Sequence, residues 1–252
     1  MSSNFLSRHG IWALIMCAIG CWWMGGFKGV ALPDVRQIDQ RIYRSPIQEA
    51  TSKEAFNVQL DERPYRVQPR FSYDIQGLVV SEHHSDSLLD FYHRMTGDFL
   101  NVCDLAMVWG VNAKTGIYQK GKFHNQDFTA WVEYDDGGDW YTFRMNEFSN
   151  NHLISENASV RASLKRIQVG DQVRIKGWLA ESFSPPAYHC GTSITRDDTG
   201  GHACETIYVT DVEVLQSANT GWRMVGIIGK VMTLTLLGIQ FLALAGKWKT
   251  WI

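Results

Sequence analysis

The sequence predicts a membrane-anchored α+β protein, in which a soluble domain of strands and inserted helices lies between two transmembrane helices. Three observations lead to this fold class. Residues 11–27 contain no charged side chain, residues 224–246 form a second apolar run, and alternating apolar patterns typical of strands occur only between these two segments. We therefore divide the chain into two spans, a connector and one folded domain.

The first apolar segment is assigned to a transmembrane helix over residues 11–32, after a short tail of residues 1–10. Seventeen uncharged residues cover about 25 Å as a helix, and Lys28 can extend its amine to the interface. A cleaved signal peptide is the alternative, but the small residues around 26–31 match a cleavage site only loosely. We interpret the segment as an uncleaved anchor.

The second apolar segment, residues 224–246, is long enough to span a bilayer with some tilt. Gly226, Gly229 and Gly238 follow near-helical spacing and could pack against another helix. The tail at 247–252 combines lysines with tryptophans, as interfacial segments do. Its cations favour cytoplasmic termini, which would place residues 33–222 on the outer side of the membrane.

The segment between the spans is acidic. It holds all 26 acidic residues but only 18 of the 24 basic residues, which gives it a formal charge of −8. A general nucleic-acid binder needs surplus Lys and Arg to neutralise phosphates. We therefore expect no nucleic-acid partner.

Residues 33–70 are predicted to be an extended juxtamembrane connector with one short helix near Ser52, because prolines and charges are frequent there. The soluble domain is then assigned to residues 71–220. It is expected to begin with a strand at 71–81, followed by a helix that starts near Ser85-Asp86.

The middle of the domain suggests a short buried strand at 105–110 and then a hairpin. Residues 127–134 and 140–148 both alternate, and the sequence Asp-Asp-Gly-Gly-Asp at 135–139 is typical of a turn. A short helix is expected from Val160 to Ile167, ending at Gly170.

Two strands close the domain, at 171–180 with a bulge at Gly177 and at 205–215. Strand, strand, strand, helix, strand, strand is the order of an OB-fold, a small Greek-key barrel. We therefore predict a small OB-like β-barrel domain with inserted helices; an SH3-like or other small barrel is the alternative.

Two motifs resemble the last two strands of bacterial periplasmic OB modules: Val-Gly-Asp-Gln-Val-Arg-Ile-Lys-Gly-Trp-Leu from Val169 and Ile-Tyr-Val-Thr-Asp-Val-Glu-Val-Leu from Ile207. The domain also resembles proteobacterial membrane-anchored proteins of unknown function that carry a periplasmic OB-like domain, through Asp104-Leu105 with Val108-Trp109-Gly110, Ser149-Asn150-Asn151-His152, and Thr195-Arg196-Asp197-Asp198-Thr199-Gly200. These resemblances imply an OB-like fold, and a bacterial inner-membrane location with residues 33–222 in the periplasm, but no activity.

Cys190 and Cys204 bracket the loop before the last strand. In an oxidising compartment they could form a disulfide that closes a loop of about 15 residues, worth roughly 3 kcal/mol. Free thiols are the second interpretation. A metal site is the third, since His189, Cys190, His202 and Cys204 supply four nitrogen and sulfur ligands, although adjacent residues chelate one ion poorly.

Histidines occur at two further places. His83, His84 and His93 lie near the start of the first helix, where surface positions are the expected outcome and a shared ion is the alternative. Ser149-Asn150-Asn151-His152 precedes the second helix, where turns and caps are expected. A binding or acid–base role for His152 is the alternative.

The loop at 191–201 is long, small and polar, and it would join the last two strands of an OB-fold, where ligands often bind. We assign Thr195, Arg196, Asp197, Asp198 and Thr199 as a candidate binding loop. Arg196 is the only cation in it.

The function expected from these patterns is non-catalytic. The acidic domain would be presented for protein–protein interaction or assembly, with the lipid bilayer and a protein or a second copy as partners, and with no cofactor. One alternative is a metal-binding or enzymatic module built on the His189, Cys190, His202 and Cys204 cluster. The other is an oligosaccharide- or lipid-binding barrel that uses an aromatic face of Trp109, Trp131, Trp140 and Trp178.

Overall fold

The computed structural model describes residues 2–85, 98–126, 129–184, 188–195 and 204–248. The chain divides into two compact units. One unit combines residues 1–31 with residues 218–252, and the other comprises residues 32–217. The helix expected after Ser85-Asp86 lies outside the described residues.

The first unit consists of two long helices, α1 (Ser2–Gly29) and α5 (Thr220–Trp248). Within them, Gly10–Gly29 and Thr220–Leu244 are apolar enough, at 20 and 25 residues, to cross a membrane. Many large apolar side chains on both helices are exposed, including Trp23 at 67% and Phe241 at 70%. These features are consistent with the two expected spans, with α1 ending three residues earlier than predicted.

Small residues line the contact between α1 and α5. Ala18 and Gly25 on α1 are buried against Gly226 and Gly229 on α5. A Cβ added to Gly229 would lie 2.7 Å from the carbonyl oxygen of Ala18, so the backbones are already in contact. This is the packing that small residues permit in membrane helices, where the apolar effect between helices is weak.

The described residues of the second unit form ten strands. They are β1 (Ile47–Ala50), β2 (Phe56–Leu60), β3 (Arg63–His84), β4 (Asn101–Val108), β5 (Lys122–Gln126), β6 (Thr129–Glu133), β7 (Phe148–Ile154), β8 (Gln172–Ser184), β9 (Tyr188–Cys190) and β10 (Glu205–Gln216). Eight of them form one large sheet, and β5 pairs with β6 in a separate two-stranded sheet. The mixed α+β class is therefore confirmed.

Five strands of the large sheet form a continuous series of pairings. The order β3–β4–β7–β10–β8 returns to β3, because the 22-residue β3 pairs with both β4 and β8. All these pairs are antiparallel except β7 with β10, which are parallel. Leu105, Leu153 and Ile207, on three of these strands, belong to the main hydrophobic core.

Among the described residues, three short helices lie between strands: α2 (Gly110–Thr115), α3 (Gly137–Thr142) and α4 (Ala158–Leu164). Asn157 caps α4 by accepting hydrogen bonds from the backbone of Ser159 and Val160, close to where the sequence places a helix. The hairpin expected between 127–134 and 140–148 is wrong. The Asp136 side chain instead caps α3 at Gly138, and β6 pairs with β5.

The segment expected to be a connector is folded into the second unit. It contains two 3-10 turns at Val35–Gln37 and Gln40–Tyr43 and the first three strands, without a helix near Ser52. Ile38 and Ile42 lie in the main core. The Gln172 side chain accepts a hydrogen bond from the Asp39 backbone and donates one to the Gln37 carbonyl. The buried apolar side chains and the paired polar groups therefore keep this segment folded despite its high proline content.

The bulge expected at Gly177 lies in the opposite strand. The register between β8 and β10 shifts between Val209 and Asp211, which leaves Thr210 as the extra residue. Gly177 is required for a different reason. A Cβ at this position would contact the Tyr208 carbonyl oxygen and lie 3.1 Å from the Val209 Cα, so β10 passes too close for a side chain.

Candidate functional site

Three neighbouring strands bring a carboxylate, an imidazole and a thiol together. Asp104 on β4 pairs directly with His152 on β7, and His152 pairs with Thr206 on β10. Directly paired residues point to the same face of a sheet. Cys204 immediately precedes β10, two residues before Thr206, and its sulfur accepts a hydrogen bond from Asn150 on β7.

Asp104 is buried within β4 and its carboxylate has two polar partners. Its Oδ1 atom lies 2.7 Å from His152 Nδ1 and accepts a hydrogen bond of 2.7 Å from the Asn101 side-chain amide. Only 2% of Asp104 is exposed. A buried carboxylate is costly unless it is hydrogen-bonded and paired, and here both conditions are met.

His152 lies between the carboxylate and the thiol. Its Nδ1 atom faces Asp104, and its side chain is also hydrogen-bonded to Cys204, for which Nε2 is the remaining ring nitrogen. Burial by itself lowers the pKa of His152, but the charges and hydrogen bonds of Asp104 and Cys204 outweigh burial and hold that pKa well above its ordinary range. The ring is therefore a strong base toward the sulfur.

Two asparagine side chains complete the surroundings of the sulfur. The Asn150 amide nitrogen donates to Cys204 Sγ at 3.6 Å, and the Asn125 amide nitrogen donates to Asn150 Oδ1 at 3.2 Å. Asn125 also donates to the Asp104 carbonyl at 3.0 Å, which anchors it to β4. This chain of hydrogen bonds fixes which end of the Asn150 amide faces the sulfur.

Access differs among the three groups. Asp104 and His152 are buried, at 2% and 5% exposure, whereas Cys204 is half-buried. A nucleophile at the surface with its base and orienting carboxylate behind it is the arrangement that thiol and hydroxyl nucleophiles use in covalent catalysis. The described residues can therefore activate the Cys204 sulfur toward an electrophile.

The disulfide expected between Cys190 and Cys204 is not present. All five cysteines lie in the described part of the chain, and none is bonded to another. Cys190 Sγ lies 3.3 Å from the Thr206 hydroxyl, whereas Cys204 contacts Asn150 and His152. Each sulfur thus has a different set of polar partners, which sequence separation alone could not indicate.

The four expected metal ligands are not brought together by the described residues. His189 Nε2 lies 3.2 Å from Glu181 Oε2, and its ring stacks on Phe183. No group of three or more His, Cys, Asp or Glu side chains suited to a metal ion occurs among the residues described. His202 lies outside them.

Most of the expected binding loop also lies outside the described residues, including Arg196, Asp197, Asp198 and Thr199. Thr195 is described and exposed, and its backbone nitrogen and oxygen both bond the Ser193 hydroxyl. The Ser193 backbone donates to the Cys204 carbonyl at 2.9 Å, so the start of the loop is attached beside the thiol.

The remaining candidate residues are tryptophans and histidines that pack or pair within the fold. Trp109 is 1% exposed in the main core, while Trp178 packs with Phe56 and Tyr208 in a second cluster, so the four tryptophans do not form one face. His84 lies 3.3 Å from Glu82 at the end of β3. His83 pairs in register with Asp104, and His93 lies outside the described residues.

Asp104 is the site residue that sequence reasoning missed. An acid in the middle of the apolar run Val102–Val108 is a signal, since a buried strand does not carry a charge without a partner. His152 was considered, but as part of a turn before a helix. The structure places it instead within β7, where Asn150 and His152 share one face.

Comparison with models of protein families, with curated proteins and with solved structures gives no match to this chain.

Proposed function

We propose that this protein is a membrane-anchored enzyme that uses the Cys204 thiol as a covalent nucleophile. The observation that carries the proposal is the Asp104–His152–Cys204 series on adjacent strands, with the carboxylate on Nδ1 and the thiol hydrogen-bonded to the same ring. The spacing of these residues along the chain gives no local motif, and the series exists only through the strand register.

Each residue has a distinct role in this proposal. His152 takes the proton of the Cys204 thiol, so that the sulfur attacks as a thiolate. Asp104 holds the imidazole in the tautomer that leaves Nε2 toward the sulfur, and it stabilises the imidazolium that forms. Asn101 holds the Asp104 carboxylate in turn.

The setting we propose is an OB-like barrel between two transmembrane helices. The closed series of pairings through β3, β4, β7, β10 and β8, with α4 between β7 and β8 in the chain, supports that topology. The two long apolar helices support anchoring in a bilayer. With both spans in place, the domain lies on one side of the membrane, and we propose the periplasmic side of a bacterial inner membrane.

A non-catalytic interaction domain is the second candidate function, and one observation favours it. Trp140, Tyr141 and Met145 are exposed, at 43%, 89% and 39%, within six residues of one another. Asp135 and Asp136 directly precede this apolar patch. Exposed aromatic side chains rimmed by charge are typical of protein-binding surfaces.

Alkylation of the cysteines tests the thiol proposal. In the full chain in mild detergent at pH 7, iodoacetamide should alkylate Cys204 at least about tenfold faster than Cys190, because Cys204 is hydrogen-bonded to the buried, Asp104-paired imidazole of His152. The His152→Gln variant should lose most of this difference. Peptide mass spectrometry measures both rates in the same molecule.

The matched control is Cys190→Ala, which removes a comparable half-buried thiol and should leave the Cys204 rate unchanged. Equal rates at the two cysteines of the wild-type protein would contradict the proposal. So would a His152→Gln variant that keeps the native circular dichroism and the wild-type Cys204 rate. Either result would leave the interaction function as the better one.

A further inference from the structure

We propose that the side-chain amide of Asn150 is an oxyanion donor, and that the substrates of this site are therefore acyl compounds, with a carbonyl carbon bearing a leaving group. This inference rests on the proposed thiol nucleophile and deepens it. A thiolate alone can react with many kinds of electrophile. A positioned N–H donor beside the sulfur is useful for the class in which negative charge develops on an oxygen next to the attacked carbon.

The first argument is the position of the amide. Asn150 Nδ2 lies 3.6 Å from Cys204 Sγ, and Asn150 and His152 are two residues apart on the same face of β7. After the attack, the carbonyl carbon is bonded to the sulfur. The carbonyl oxygen is therefore only two bonds away from the sulfur. An N–H group this close to the sulfur can reach that oxygen, while His152 faces the sulfur from the next position of the same strand.

The second argument is that the amide is held in one orientation. Asn125 reaches from β5 and donates to Asn150 Oδ1 at 3.2 Å, and it is itself fixed by its bond to the Asp104 carbonyl. Because the oxygen end of Asn150 is engaged, the nitrogen end is directed to the sulfur. Asn150 is 5% exposed, so this donor acts where water screens it little. Donors fixed before the reaction are the effective ones.

The proposed reaction balances with water as the second substrate. The Cys204 thiolate forms a bond to the carbonyl carbon, and the carbonyl π electrons move to the oxygen, which Asn150 stabilises. When this intermediate collapses, the bond to the leaving group breaks, and the leaving group takes the proton that His152 received from the thiol. Water then attacks the thioester with His152 as base, releasing a carboxylic acid and restoring the thiol.

The experiment compares two probes that differ in whether an oxyanion forms. 4-Nitrophenyl acetate acylates a thiol through a tetrahedral oxyanion, whereas iodoacetamide alkylates it by direct displacement at a saturated carbon. In the full chain in detergent, the Asn150→Ala variant should acylate Cys204 about 100-fold more slowly than wild type. Its alkylation rate should change by less than about threefold, since no charge develops on an oxygen.

Asn125→Ala is the second variant, because it leaves the Asn150 amide in place but removes the group that orients it. It should slow acylation by a smaller factor than Asn150→Ala and leave alkylation unchanged, and it keeps the test open if Asn150→Ala does not fold. Asn57→Ala, at an exposed position of β2, is the matched control and should affect neither probe.

The outcomes separate this inference from the proposed function. Equal slowing of both probes would show that Asn150 only positions the sulfur or supports the fold, which overturns the inference and keeps the nucleophile. No change with either probe in both variants would also overturn it. A wild-type Cys204 that reacts no faster than Cys190 with either probe would overturn the proposed function and this inference together.

Discussion

At the residue scale, Asp104 controls the properties of the candidate site. It is almost fully buried, and its carboxylate is hydrogen-bonded to the side chains of His152 and Asn101. Removing one member of a buried charged pair leaves the other uncompensated, which costs about 3–5 kcal/mol. Single substitutions at Asp104 or His152 therefore affect both stability and chemistry.

The pKa of His152 gives the fold a pH dependence. Because this pKa is raised above the ordinary value of 6.5, the folded state binds the proton more tightly than the unfolded state does. The resulting stability is fully present below about pH 6.5 and is lost as pH rises through the folded-state pKa. We expect the free energy of unfolding of the wild type to decrease above pH 6.5 on this account.

The measurement is denaturant unfolding at several pH values between 6 and 9. The control is the double variant Asp104→Asn/His152→Gln, which lacks both titrating groups and should show a flatter profile over this range. A wild-type profile as flat as that of the double variant would show that His152 does not gain a proton on folding.

Sequence reasoning at this scale could identify His152 and Cys204 as reactive types but not join them. His152 and Asp104 are 48 residues apart, and Cys204 is 52 residues beyond His152. Their meeting depends on the register of two strand pairs, and a shift of one residue in either would turn a side chain to the opposite face. That strand register cannot be predicted from composition or from local residue spacing.

At the element scale, strands in which apolar and polar residues clearly alternate were predictable from the sequence. An alternating segment bounded by turn residues was not. The segments at 71–81 and 205–215 lie within observed strands, and 171–180 does so except for Asp171, because their apolar positions repeat every two residues. Residues 140–148 also alternate, yet Gly137–Thr142 form α3. An Asp before two glycines can begin a helix as well as a turn, since the same carboxylate caps either one.

The close approach of β10 to β8 makes Gly177 a sensitive position. Gly177→Ala would place a methyl group against the Tyr208 carbonyl and force the two strands apart, so it should destabilise the protein by about 1–3 kcal/mol. Thermal unfolding of the full chain in detergent measures the effect.

Gly137→Ala is the matched control for this prediction. Nothing lies within 4 Å of a Cβ at Gly137. Because alanine has a smaller conformational entropy than glycine in the unfolded state, the substitution should leave the free energy of unfolding unchanged or raise it slightly. If the two variants melt at the same temperature, the backbone at Gly177 has room for a side chain, and the pairing of β8 with β10 is looser than described.

At the scale of the whole molecule, the two apolar ends were predictable because span length and composition are local properties. The strand order that closes on β3 was not predictable in full, because residues 149–152, which were expected to form turns and caps, lie within β7. The folding of residues 33–70 into the domain was not predictable either, because the partners of Ile38 and Ile42 are distant in sequence. The chain thus combines two locally encoded apolar helices with a candidate site that only the complete sheet assembles.

The central claim is that Cys204 is an activated nucleophile, and the most direct test compares its alkylation with that of Cys190 across pH 5–9. The wild-type protein is used in native membranes, so that no variant has to fold. The Cys204 rate should exceed the Cys190 rate at least about tenfold at pH 7, because the His152 imidazole is hydrogen-bonded to the Cys204 thiol. A ratio close to one over the whole range would contradict the claim.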